Sequence, residues 1–179
     1  MVKSKLITIF LFLIYGCATT QPRTETLITD DPFSSSIEVR GVPLNPISTA
    51  YTGRGFLINS FINKSNFEVK HQVYIREEYY KTDWDFYDLA TITGGYELPL
   101  TQLSRDVGNC SSGSVYTMCS FIEELGIDIS TQLLQQGKGG FSIKLFSQSG
   151  SSFVITITEE QITKQFNSIN SVLETLTPL

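Results

Sequence analysis

The clearest signal in the chain is an alternation of period two. Phe67, Val69, His71, Val73 and Ile75 fall on one side, and Glu68, Lys70, Gln72, Tyr74 and Arg76 on the other. A repeat of two residues matches the pleat of a strand with one buried face. Ile37-Glu38-Val39-Arg40 alternates in the same way, and Gly55 to Asn63 predicts a strand that turns at Asn63-Lys64-Ser65-Asn66 into the long one, a β-hairpin. Trp84 to Ile92 reads as extended, Gly94-Gly95 as a bend, and Tyr96 to Leu100 as a short run broken by Pro99. Val115 to Ile129 predicts a further strand, with Cys119, Phe121, Leu125, Ile127 and Ile129 in phase and Gly126 as an irregularity. Phe141-Ile143-Leu145 and Phe153-Ile155-Ile157 flank the turn Gln148-Ser149-Gly150-Ser151, a second hairpin.

Two helices stand out against this background. Ser130 is an N-cap for a short helix from Thr131 to Gln136, stopped by Gly137. Thr158 and Gln161 form a capping box, followed by Ile162, Phe166, Ile169, Leu173 and Leu176 at helical spacing. Such an apolar stripe needs a surface to cover. The fold class expected is therefore α+β: an antiparallel sheet or small sandwich of about six to eight strands, with a C-terminal amphipathic helix packed on it.

The N-terminus follows a different pattern. Lys3 and Lys5 precede an apolar run from Leu6 to Tyr15, interrupted only by Thr8. Ten helical residues rise ~15 Å, half of a ~30 Å hydrocarbon core, so the run fits a secretory signal and not a membrane span. Leu13-Ile14-Tyr15-Gly16-Cys17 closes it. This stretch resembles the lipobox of bacterial lipoproteins, with Tyr15 standing where that class prefers a small residue. The resemblance implies a diacylglycerol and further acyl chains, such as palmitate, on Cys17, with cleavage just before it. Ala18, where Asp would signal inner-membrane retention, implies the outer membrane, the domain facing the periplasm or the cell surface. The organisation expected is a signal peptide over 1–16, a lipidated Cys17 with a flexible tether over 17–35, and one globular domain over 36–179. The tether reading rests on the Thr, Ser and Pro content of residues 18–35.

Charge and cysteine count then acquire meaning. The chain has 13 basic and 18 acidic residues; without Lys3 and Lys5 the balance is 11 to 18, a net charge of −7. That excludes a nucleic-acid footprint and a polybasic membrane patch, and leaves acyl chains as the route to the membrane. With Cys17 acylated, Cys110 and Cys119 remain as a disulfide pair in an oxidising compartment, Cys110 in a turn-like stretch and Cys119 in an extended one. Two cysteines with no nearby histidine do not complete a zinc shell.

Candidate chemistry is sparse. His71 is the only histidine, lies on an apolar strand face, and reads as a hydrogen-bonded core residue. No G-x-S-x-G elbow occurs, and Gly137-Lys138-Gly139-Gly140 lacks P-loop spacing. Glu123 and Glu124 are neighbours and point to opposite strand faces, so they are not a glycosidase pair. The densest cluster runs from Glu77 to Asp88. Tyr79, Tyr80, Trp84 and Tyr87 form a possible binding surface for peptide or glycan, while Asp83, Asp85 and Asp88 miss the EF-hand pattern for calcium. No catalytic, metal or cofactor residue is assigned. The expectation is a non-catalytic, lipid-anchored envelope protein that binds a protein partner, with a glycan or small-solute module as the alternative and a hydrolase behind both.

Overall fold

The computed structural model describes residues 23–44, 53–113 and 117–176. In chain order the strands are β1 (Leu27–Thr29), β2 (Ser36–Arg40), β3 (Gly53–Asn63), β4 (Val69–Lys81), β5 (Tyr87–Ile92), β6 (Glu97–Leu98), β7 (Leu100–Ser112) and β8 (Thr117–Ile129). Helix α1 (Thr131–Gln136), strands β9 (Phe141–Ser147) and β10 (Ser152–Ile157), and helix α2 (Glu159–Leu176) complete the fold. All pairings between them are antiparallel, in a six-stranded sheet ordered β1-β2-β3-β4-β8-β7 and a four-stranded sheet ordered β10-β9-β5-β6. The expected architecture is present, with ten strands among the described residues where six to eight were anticipated.

The larger sheet is covered by two elements. Over β4 and β8 lies the small sheet, so that Val73, Ile75, Leu125 and Ile127 meet Ile143, Leu145, Phe153 and Ile155. Over β2 and β3 lies α2, whose Ile169 and Val172 pack on Ile37, Val39 and Ile62. The capping box of α2 is formed as predicted: the Thr158 N–H donates to Gln161 Oε1 at 3.1 Å and the Gln161 N–H to Thr158 Oγ1 at 3.2 Å. Its buried stripe is rotated from the expected one. Gln161, Ile162, Gln165, Ile169 and Val172 face inward, while Phe166, Leu173 and Leu176 are only partly covered. Close approach is possible because Gly41 lies under the helix; a Cβ there would meet the Ile58 carbonyl at 2.6 Å and Gln165 Oε1 at 2.7 Å. Ser130 caps α1 through a bond from the Leu133 N–H, as expected.

Three sequence readings are corrected. The first concerns the tether, which does not extend over residues 23–35. Leu27, Ile28 and Thr29 pair with Arg40, Val39 and Glu38, and the turn that follows is held by the Ser34 N–H on the Asp31 carbonyl and by Lys64 on Asp30. Backbone pairing at an edge asks little of the side chains, so polar composition did not betray it. The second concerns Cys110, which lies in strand β7 opposite Cys119 and not in a turn; the disulfide joins adjacent strands. The third concerns Phe67, which leaves the apolar face by adopting a positive φ of 58° at the hairpin turn and is exposed. Tyr15 and Cys17 lie outside the described residues, as does Val115.

The disulfide closes a loop of about ten residues, for which chain entropy gives ~2.5–3 kcal/mol. Reduction, or Cys110→Ser with Cys119→Ser, should lower unfolding stability by about that amount. Urea titrations with and without reductant measure it, and coincident midpoints would contradict the expectation.

Candidate functional site

The aromatic and acidic segment from Glu77 to Asp88 is the end of β4 and the crossover that carries the chain from one sheet to the other. The alternation of β4 does not stop at Ile75. Glu77 and Tyr79 continue the inward face, and the register sets Glu77 directly opposite Glu123 of β8. Two carboxylates thus sit side by side in the interior, with Glu123 wholly inaccessible to solvent.

Each acid is matched. Arg54 of β3 grips Glu77 in a two-point contact at 2.5 and 2.6 Å, its guanidinium 3.6 Å from the centre of the Phe153 ring. Glu123 Oε2 accepts from Arg105 Nε of β7 at 3.3 Å. Its Oε1 accepts from the Tyr79 hydroxyl at 2.6 Å and from the Phe86 N–H at 3.1 Å. The Tyr79 oxygen in turn accepts the Asp85 N–H at 2.7 Å. Asp85, buried in the crossover, is bonded by Lys81, by Ser149, and by Ser151 at 3.0 Å, the two serines coming from the β9–β10 turn. One network therefore ties both sheets together.

The electrostatics follow from burial. For Glu77, desolvation outweighs the Arg54 contact and raises the carboxyl above its ordinary value. For Asp85, desolvation pushes upward, but hydrogen bonds from Lys81, Ser149 and Ser151 outweigh it and the carboxyl ends below its ordinary value. Burial raises the phenols of Tyr79 and Tyr87, so both remain protonated donors.

This arrangement divides the aromatic platform expected from the sequence. Tyr79 and Tyr87 are core residues and cannot form a binding surface, because their rings pack against Phe121 and Phe153. Trp84 is partly buried on Phe121, at 4.6 Å between ring centres, and Tyr80 is partly buried on the opposite face of the sheet, paired with Ser120. The three aspartates also diverge: Asp83 caps the Trp84 N–H, Asp85 faces Lys81, and Asp88 accepts from Gln148. Among the described residues no cluster of three or more His, Cys, Asp or Glu is placed to hold a metal ion. The charges Arg54, Glu77, Arg105 and Glu123 were missed as a group. Their signal was a charged residue in phase with apolar neighbours, Glu77 after Ile75 and Glu123 between Phe121 and Leu125.

His71 heads a second network at the opposite end of β4. The Val39 carbonyl can only accept, so the Gln165 amide nitrogen faces it, at 2.8 Å, and also donates to Ser60 Oγ at 2.8 Å. Ser60 then donates to His71 Nδ1 at 2.7 Å, which puts the imidazole proton on Nε2, 3.1 Å from Thr131 Oγ1. Burial holds the imidazolium down to about 4, so the ring is neutral at physiological pH. Thr131 opens onto a shallow cleft of about 610 Å³, lined also by Lys70, Pro99, Asp128 and Leu133.

Both networks give measurable consequences. Arg54→Met strands Glu77 as a buried charge and should cost about 3 kcal/mol; adding Glu77→Leu should recover most of it, because the pair is then replaced and not broken. Denaturant titration of the single and double variants checks this, and a double variant as weak as the single would contradict it. His71 has a folded-state value below its unfolded value of about 6.5, so the unfolded chain binds the extra proton between pH 6.5 and about 4. Stability should fall as pH drops through that window. The slope should flatten in His71→Gln, whatever that variant's absolute stability, while Glu77 and Asp85 contribute equally to both proteins.

No protein-family model, curated protein or solved structure matches this chain.

Proposed function

We propose that this chain is a lipid-anchored protein of the bacterial outer membrane, whose folded domain binds a protein partner in the envelope without catalysing a reaction. The observation that carries the reading is Leu13-Ile14-Tyr15-Gly16-Cys17 behind Lys3, Lys5 and a short apolar run. The Cys110–Cys119 disulfide supports export, since such bonds persist in oxidising compartments. Among the described residues no helix is long and apolar enough to cross a membrane; the lipobox resemblance assigns attachment to acyl chains on Cys17. One chain binds marginally and two or three hold stably.

Binding without catalysis is supported by how the ionisable groups are used. Glu77, Glu123 and Asp85 are each engaged by a cation and sealed inside the sandwich, and His71 is bonded through both ring nitrogens. A catalytic acid or base needs to reach a substrate. The shallow cleft beside Thr131 favours a second reading, a glycan or small-solute module.

Mass spectrometry of the protein from the membrane fraction tests the anchor. The expected mass lacks residues 1–16 and carries acyl chains, and Cys17→Ser should be mis-processed or released. A water-soluble product beginning elsewhere would falsify the reading.

A further inference from the structure

The chain is fastened to the fold from Arg23, and this limits how far the domain can stand from its anchor. Arg23 donates to the carbonyls of Gly41 and, at 3.5 Å, Arg40. Lys164 of α2 reaches the Thr24 carbonyl at 3.3 Å, and Thr26 Oγ1 lies 2.5 Å from Ser168 Oγ. Residues 23–29 are thus fastened to the sheet edge and to α2. Only six peptide steps separate Arg23 from Cys17. Six steps span at most ~20 Å. Chain of that length does not let a domain float free of the surface.

The edge nearest the anchor is β1, whose residues are all exposed. Leu27 and Ile28 are each 46% accessible and point to opposite faces of the strand, so apolar side chains flank the edge on both sides. The chain is acidic overall, yet this corner is close to balanced: Arg23, Arg40, Lys64 and Lys164 stand against Glu25, Asp30, Asp31, Glu38 and Glu160, a net charge of −1. That near-neutrality weakens the repulsion an acidic surface meets at an anionic bilayer. Resting on the lipid-anchor reading above, we propose that the β1 edge docks on the bilayer, with Leu27 and Ile28 entering the boundary between headgroups and acyl chains. The partner is a lipid surface, and the short link from Cys17 selects it.

The fold supplies its own reference probe. Ile28 is level with Val39, Ser60 and His71 across the sheet, and ten residues of β4 separate His71 from Lys81. That is ~33 Å along the strands, and β4 lies three strands from β1, ~14 Å across the sheet, so Trp84, the only tryptophan in the sequence, is removed from Ile28 along the edge and from the docked edge across it. The acylated protein is reconstituted into phosphatidylethanolamine–phosphatidylglycerol vesicles with or without brominated acyl chains. Wild-type emission, from Trp84 alone, should be unaffected by bromine. Ile28→Trp, an exposed position with Trp84 retained, should add emission that brominated lipid removes. Twenty Gly/Ser residues inserted after Ala18 should keep flotation with the vesicles and abolish that loss. Protein that fails to float has no anchor, and both readings fall. Flotation with no loss at position 28, or with a loss that survives the insertion, overturns the docking proposal alone.

Discussion

Two carboxylates facing each other across the central strands of the larger sheet set the terms for the fold. Glu77 and Glu123 are register partners on β4 and β8, on the face that the small sheet covers. Like charges in a low-dielectric interior repel and are costly to desolvate, so neither is tolerable without compensation. The compensation comes from every direction available. Arg54 arrives from one neighbouring strand and Arg105 from the other, while Tyr79, two residues beyond Glu77, supplies a hydroxyl. The remaining donor is backbone, the Phe86 N–H, and it exists only because the crossover folds down onto the acids. Placing the crossover correctly also places Asp85 under the β9–β10 turn. The geometry that neutralises Glu123 is therefore the geometry that seats one sheet on the other.

At the far end of β4 the same logic runs through neutral groups. The six-stranded sheet is too wide for the four-stranded one to cover, and α2 closes the remainder. A helix laid across strands brings its polar residues against backbone and side chains that already need partners. Gln165 bonds the Val39 carbonyl and Ser60, and Ser60 fixes the His71 tautomer. The Gln165 Oε1 lies above Gly41, where a Cβ would collide with it and with the Ile58 carbonyl. Tight seating of α2 over Gly41 lets Ile162, Ile169 and Val172 reach the sheet.

What the sequence disclosed tracks how strongly each element depends on burying one face. The second hairpin, both caps and the long alternating strand were legible because their apolar positions repeat with the period of the structure. Strand β7 was not legible. Thr101 to Ser112 carries few apolar residues, and Leu103 and Val107 are exposed, as befits an edge strand with little apolar surface to bury. Strand β1 was hidden for the same reason. The buried network was obscured in the opposite way: Glu77 and Glu123 sit in phase with the core, but a charge at such a position reveals its role only once the cation opposite it is known. Arg54 and Arg105 are 23 and 18 residues away in sequence, and only the pairing of β3 with β4 and of β7 with β8 brings them near.

The two edges of the large sheet answer the same hazard differently. An open edge invites pairing with another chain, and natural sheets blunt it by shortness, charge or irregular register. Strand β1 is three residues long. Strand β7 is thirteen, but its register slips between Gln102 and Ser104 and again between Val107 and Cys110, with Arg105 and Asp106 between the two slips. Each slip breaks the row of unpaired backbone groups that a docking strand would need. Arg105 is also held inward by Glu123, so the charge that guards the edge is the charge that neutralises the core. Edge protection and core electrostatics are in this protein one interaction, and a sequence change at Glu123 would be felt at both.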